Sequence, residues 1–336
     1  RSMSRKDAME DFCEVRGIDL SGLKSKEYFE YIFGINSLTE ESIESFILDR
    51  YREERAERLQ IQDYLVDQLN RLQAFDWGGS FQNSLEKNIV NNYVKKIQSF
   101  DKIVEEIEGT LLSSMRGYTL NSWYNHWTSI IIEDLFKDHP SVLPTVGLVK
   151  KIDFFINNIP FDLKVTYFPE GLLTEKLRDN GYGNELTKLK QACRKLQIFI
   201  PDDLNEKGLK LHLFNKVRED RRSEAKAFVD DLIDRKKQII DEAEKNPYEL
   251  KKWFYENQSE ARFDASNRFF LVLTDEFDMA ASWKLKRNIV FLKDKINAHL
   301  NALSQDVGSL DTEFYWDKGK KKYRCKSDIL FLKFSL

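Results

Sequence analysis

Apolar residues recur at helical spacing through much of residues 5–118. Ile43, Phe46, Ile47 and Tyr51 form one such run, and Leu59, Tyr64, Leu65, Leu69 and Leu72 another. Ser37-Leu38-Thr39-Glu40 reads as a capping box ahead of the first long helix. The loop Asp76-Trp77-Gly78-Gly79-Ser80 interrupts the pattern, and a second long helix is expected from about Ser84 to Met115. The two are expected to pair as an antiparallel hairpin. Another helix is expected over Asn121–Lys137, ended by His139-Pro140.

The period then changes from helical to alternating. Residues Val146 to Phe168 predict a strand pair. A glycine-containing loop at Asp179–Gly183 leads into a helix over Glu185–Lys195. Short strands are expected near Leu196–Ile200 and Leu209–Phe214, helix over 219–258, and a central strand at Arg268–Thr274, which is almost wholly apolar. Helix is expected again over 281–303, and a C-terminal hairpin over Thr312–Phe334 turns around Asp317-Lys318-Gly319. No internal repeat or low-complexity tract is present. The reading is a mixed α/β (α+β) chain. It divides into a helical N-terminal region (1–118) and a domain over 119–336, with a helical insertion at 219–258 and a basic terminal hairpin.

Within the strand pair, Asn157-Asn158 separates two apolar runs. Asn tolerates positive φ, so a two-residue hairpin turn is expected there. That sets Ile156 opposite Ile159, Phe155 opposite Pro160, Phe154 opposite Phe161 and Asp153 opposite Asp162. With a period of two, Ile152, Phe154, Ile156, Ile159, Phe161, Leu163 and Val165 share one apolar face. The other face carries Asp153, Asp162 and Lys164. Two carboxylates opposed at about 4.5–5.5 Å repel one another, and a divalent cation between them reverses that sign. Mg²⁺ takes oxygen ligands, which points to Asp153, Asp162 and the Leu163 carbonyl. Lys164 would orient or help deprotonate a water, or stabilise charge on a phosphate.

Acid-x-Lys is common on its own. Glu224-Ala225-Lys226, Asp234-Arg235-Lys236 and Glu249-Leu250-Lys251 also occur, but all fall in expected helices without an acidic strand partner. Bulk properties narrow the rest. The chain has 336 residues, 41% of them apolar, enough for a sizeable core. No apolar run approaches the roughly 20 residues of a membrane span. Arg1-Ser2 ahead of Met3 carries no secretory h-region and is expected to be a cloning leftover. Cys13, Cys193 and Cys325 are far apart and odd in number, which fits a reducing cytoplasm rather than a disulfide framework or zinc cluster. The four histidines are scattered. Net charge is −3, unpromising for a nucleic-acid binder, but it is unevenly spread. Residues 146–200 hold nine Lys/Arg against six Asp/Glu, and 317–333 hold seven against two. Those segments could meet phosphates.

A helix followed by a hairpin bearing Asp153 and then Asp162-Leu163-Lys164 resembles the PD-(D/E)xK nuclease superfamily, which includes most type II restriction endonucleases. The resemblance covers roughly residues 118–215, with the strand at 268–274 as an extension. Lys151-Ile152 stands where the family has its Pro. It implies a restriction-endonuclease-like core, a central mixed sheet flanked by helices. It also implies Mg²⁺, with Mn²⁺ substituting, and Glu133 on the preceding helix completing the metal site, with Asp134 as its rival. The helix after the motif often faces DNA in such nucleases, which nominates Lys188, Gln191, Arg194 and Lys195. Lys320 and Lys322 in the basic hairpin are further phosphate contacts in this reading. The resemblance leads to a DNA endonuclease of restriction or phage-defence type and allows a homodimer, since two sites cut both strands of a palindrome. A structure-specific or RNA-directed nuclease, and a non-catalytic nucleic-acid-binding protein, remain the alternatives.

Overall fold

In the computed structural model, the structure describes residues 2–74, 89–147, 152–258, 267–276, 278–303, 310–316 and 321–334. The helices are, in chain order, α1 Lys6–Arg16, α2 Tyr28–Phe33, α3 Glu40–Asn70, α4 Phe100–Glu106, α5 Leu112–Lys137, α6 Glu170–Asp179, α7 Glu185–Lys195, α8 Glu206–Glu219, α9 Ser223–Lys245, α10 Pro247–Gln258 and α11 Ile289–Leu303. The strands are β1 Val142–Pro144, β2 Phe154–Ile156, β3 Ile159–Tyr167, β4 Arg268–Asp275, β5 Asp311–Trp316 and β6 Lys321–Phe334. The class is mixed α/β. The six strands pair in the order β1-β2-β3-β4-β6-β5, and helices flank the sheet. No helix among the described residues is long and apolar enough to cross a membrane.

The chain divides into two compact units: residues 1–161 with 283–306, and residues 162–282 with 307–336. The division falls within β3. Residue 118, where the sequence suggested a boundary, lies inside the continuous helix α5.

In the first unit, Phe12, Cys13, Ile32, Ile47 and Tyr51 form a core with Val146. α3 starts at Thr39, two residues later than the capping-box pattern suggested, and the Thr39 hydroxyl accepts the Ser42 N–H at 3.2 Å. The expected helix over 84–115 differs from the structure. Residues 75–88, which include the loop at Asp76–Ser80, lie outside the described residues. Ile89–Val94 winds as a π-helix. Ser99 then caps α4, whose winding runs on through a π segment, Ile107–Leu111, into α5. The break before Ser99 removes the simple two-helix hairpin. β1 was not expected; it pairs antiparallel with β2, Leu143 opposite Phe155.

In the second unit, β3 pairs parallel with β4, β4 parallel with β6, and β6 antiparallel with β5. Phe269 to Asp275 of β4 are all buried, as expected of a strand covered on both faces. The core joins Phe270 and Val272 of β4 with Phe254 and Tyr255 of α10, Leu173 and Leu177 of α6, and Phe314 of β5. The strands expected at Leu196–Ile200 and Leu209–Phe214 are absent. The first is a loop, and the second lies in α8. Leu209-Lys210-Leu211-His212-Leu213 alternates like a strand. The buried residues are nevertheless Leu209, Leu213 and Val217, at helical spacing, while Leu211 is 49% exposed. Asn205 at the N-cap accepts the Gly208 N–H at 2.8 Å and starts the helix. The helix expected over 281–303 is a 3₁₀ segment, Met279–Arg287, followed by α11 in the first unit.

Candidate active site

Asn157 and Asn158 have φ of 49° and 62°, so both turn residues are left-handed, as a two-residue type I′ hairpin turn requires. The register is the expected one: Ile156 opposite Ile159, Phe155 opposite Pro160, Phe154 opposite Phe161. Phe154 and Phe161 are fully buried. Phe154 also stacks on Phe136 of α5, with ring centroids 5.3 Å apart and planes 10° apart. Burial of these rings holds the hairpin on the helix that carries Glu133.

The regular ladder stops at Phe154 opposite Phe161. Asp153 N–H donates to the Phe161 carbonyl at 2.8 Å, one position off the register. The Asp162 N–H donates instead to the Asn267 carbonyl at 3.0 Å, on the β4 side. Direct pairing of Asp153 with Asp162 is not part of the ladder, which ends at Phe154 opposite Phe161. The peptide preceding Asp162 already serves the Asp153 amide. Asp153 is also anchored by its own carbonyl, which accepts the Thr145 hydroxyl at 2.7 Å and the Thr145 N–H at 3.3 Å.

In the first unit, Glu133 and Asp134 are consecutive on α5 but differ sharply in role. Asp134 is buried and held by Arg58 of α3 in a two-bond fork, at 2.8 and 2.9 Å, with Arg55 at 3.4 Å. Its two oxygens are committed to tying α3 to α5. Glu133 is about one-third exposed and pairs with Lys137 one turn on, at 2.6 Å. Lys137 also donates to the Thr145 carbonyl at 3.4 Å. Glu133 thus connects to the Asp153 main chain through Lys137 and Thr145.

In the second unit, Lys164 Nζ lies 2.6 Å from Asp162 Oδ1. The Asp162 carboxylate is 17% exposed and the Lys164 side chain 46% exposed. The other oxygen, Oδ2, faces Arg268 Nε at 3.9 Å. Arg268 is the direct β4 neighbour of Asp162 in the parallel ladder, so the two side chains share one sheet face. The guanidinium sits over the ring of buried Tyr255, 5.3 Å from its centroid. Burial raises the Tyr255 hydroxyl well above the usual tyrosine range. Arg268 was missed in the sequence. The available signal was a cation opening an otherwise apolar strand.

Oxygen donors alone are offered by Asp153, Asp162 and the Leu163 carbonyl, a set that suits Mg²⁺ or Mn²⁺ rather than zinc. Mg²⁺ commonly takes one or two carboxylates and completes its shell with water and phosphate oxygens; Asp162 and the Leu163 carbonyl lie in the second unit and Asp153 in the first. Among the described residues, no group of three or more His, Cys, Asp or Glu side chains is arranged to hold a metal ion. Glu133 is paired with Lys137.

Of the nucleic-acid candidates, Gln191, Arg194 and Lys195 on α7 are exposed, and Lys188 lies over the Tyr182 ring at 5.7 Å. Buried Leu189, Ala192 and Cys193 fix the opposite face, so Lys188, Gln191 and Lys195 line the open one. Lys320 lies outside the described residues, as does the turn around Asp317-Lys318-Gly319. Lys322 is paired with Glu313 at 2.7 Å, and Arg324 and Lys326 both pair with Asp311 at 3.0 Å. Acids on β5 offset much of the positive charge expected of this hairpin. The three other acid-x-Lys triplets all lie on helices, α9 and α10.

No family model, no curated protein and no solved structure matches this chain.

Proposed function

We propose that this chain is a Mg²⁺-dependent endodeoxyribonuclease of restriction or phage-defence type, built on a restriction-endonuclease-like core. The observation that carries the reading is the 2.6 Å contact between Lys164 and Asp162 on β3, the strand that leads directly out of the Asn157-Asn158 hairpin. An acid and a lysine two residues apart on one strand face, one residue beyond a hairpin that another acid precedes, is the order on which the resemblance to the PD-(D/E)xK nucleases rests.

Asp153, Asp162 and the Leu163 carbonyl would hold the cation. When bound, the cation neutralises phosphate charge and lowers the pKa of a water. Lys164 supplies the proton-handling group. Its ammonium, held at Asp162 Oδ1, donates to a water or to a phosphate oxygen and keeps the attacking oxygen in line. Glu133 takes a supporting part from the helix beneath, by orienting Lys137. Lys188, Gln191, Arg194 and Lys195 on α7 would give backbone contacts, which supply affinity and register but no sequence information. A homodimer would place two such sites on one duplex.

The test is incubation of the full chain with plasmid and phage DNA and with single- and double-stranded RNA, in Mg²⁺, Mn²⁺ or EDTA, followed by end mapping. Metal-dependent ends in duplex DNA at defined positions support the reading. Cleavage confined to RNA moves the substrate class, and no cleavage of any substrate overturns the reading.

A further inference from the structure

We propose that the cavity lined by α2, α3 and β2 docks a partner protein, through a segment that inserts large apolar side chains and sets a lysine or arginine against Glu40 and Glu44. The inference does not rest on the nuclease reading.

The cavity holds about 490 Å³ and lies wholly within the first unit. Binding pockets commonly span about 300–1,000 Å³. Buried Met3, Ile32 and Ile47 line its inner part, and half-buried Phe155 of β2 adds to the wall. Phe29 and Phe33 of α2 also line it, with rings stacked at a centroid distance of 6.4 Å. Phe33 is 85% exposed and Phe29 46% exposed. Two phenylalanines left in water beside a methionine-containing apolar hollow match the core of a protein interface, where aromatic residues and Met are enriched. Methionine also adapts its shape to what enters.

Charge decides the kind of partner. Glu40 and Glu44 are the ionisable residues lining the cavity, and neither has an ion pair among the described residues. They lie one turn apart on α3, where like charges repel. Glu40, at the first helical position, is favoured by the positive end of the helix dipole. That field fades within the first turn and leaves Glu44 without the same support. Glu44 is half-buried beside the apolar lining. A cation brought by a partner would relieve the repulsion and meet a carboxylate already partly withdrawn from water. The same two carboxylates turn away phosphate, so nucleic acid and anionic lipid are disfavoured here.

The test starts from a random peptide library displayed on phage. It is panned against the full chain, with counter-selection against the Phe33→Ser, Glu44→Lys double variant. Recovered peptides are expected to join closely spaced large apolar residues to a lysine or arginine. One such peptide is synthesised with a fluorescein label and titrated by anisotropy. Phe33→Ser and Glu44→Gln are each expected to weaken its binding about tenfold. Exchanging its cation for glutamate should weaken binding further, and added salt should weaken the parent peptide. Urea unfolding checks each variant, and Glu44→Gln replaces Glu44→Lys in the counter-selection if the latter does not fold. Recovery of no specific peptide, recovery of purely apolar or acidic ones, or binding unmoved by both single variants would overturn the inference. Sedimentation velocity and phosphatidylcholine vesicle flotation test the other occupants. Self-association or vesicle binding lost in Phe33→Ser would assign the face to a second copy or to lipid, and would overturn it too. DNA cleavage, present or absent, bears on none of these outcomes.

Discussion

Lys164 and Asp162 meet at 2.6 Å across one intervening residue, because β3 is extended there and puts both side chains on the same face. The ammonium is nearly half exposed, so it is open to solvent while held in place. Lys164→Met should lower the cleavage rate by about 10²–10⁴-fold, the usual contribution of a positioned proton-transfer group, with duplex binding changed little. Single-turnover rates alongside anisotropy check this. A rate loss matched by an equal loss of binding would make Lys164 only a phosphate contact.

Glu133 and Asp134 should separate by stability. Asp134→Ala leaves Arg58 and buried Arg55 without their shared acid, and should cost about 3–5 kcal/mol in urea unfolding. Glu133→Ala removes the acid paired with the largely buried Lys137, which keeps the Thr145 carbonyl, and should cost about 1–2 kcal/mol, less than the Asp134 loss. Equal costs would contradict the division of roles between the two acids.

The hairpin turn makes its own prediction. Asn158 sits at φ 62°, which a β-branched residue resists. Asn158→Val should destabilise by about 1–2 kcal/mol, whereas Asn158→Gly should be neutral or slightly stabilising. Urea midpoints for the two variants decide it, and a harmless valine would argue against the turn.

Burial of Lys286 pulls its ammonium down to about 8, against 10.5 for the free side chain. Folding therefore releases a proton between those values. The folded chain binds fewer protons there, so this group's contribution to stability rises as pH increases from about 8 toward 10.5. Below pH 8 the buried charge is a cost, on the order of 3 kcal/mol at one pKa unit per 1.4 kcal/mol. Lys286→Met should be more stable than wild type at pH 7, with the gap closing by pH 10. A gap independent of pH would show that Lys286 does not titrate on folding. Its Nζ donates to Asn125 Oδ1 at 2.9 Å, so the methionine also gives up that bond.

Much of the candidate site was legible because local rules agreed there. Asn-Asn permits one tight turn, and the apolar alternation from Ile152 to Phe161 allows one register around it. Arg268–Thr274 was legible as a strand for a similar reason: its apolar run is too short for a buried helix and carries two Phe and a Val. The exit from the hairpin was not legible. Period two carried forward from Phe154 puts Asp153 across from Asp162, but the Asp153 amide slips back to the Phe161 carbonyl, while the Asp162 amide joins Asn267, more than a hundred residues away. No local pattern encodes that partner. Likewise Asp134 and Glu133 look alike in sequence, and only the arrival of Arg55 and Arg58 from α3 distinguishes them.

The segment at 209–214 failed for the opposite reason. Its alternation of Leu with Lys and His is also consistent with one stripe of a helix, and Asn205 was the cue that should have decided it. The structure implies that Leu213→Ala costs about 2–5 kcal/mol and Leu211→Ala about 0.5 or less. Comparable costs would restore the strand reading.

The central claim is that Asp162 and Lys164 carry metal-dependent phosphodiester cleavage, and one measurement bears on it most directly. Conversion of supercoiled plasmid is followed with wild type, Asp162→Ala and Lys164→Ala, purified identically, in Mg²⁺ and in EDTA. The account predicts nicked and linear products for wild type in Mg²⁺ only, and no products above background for either variant. Cleavage by Asp162→Ala or Lys164→Ala at the wild-type rate, or wild-type cleavage that persists in EDTA, would contradict it.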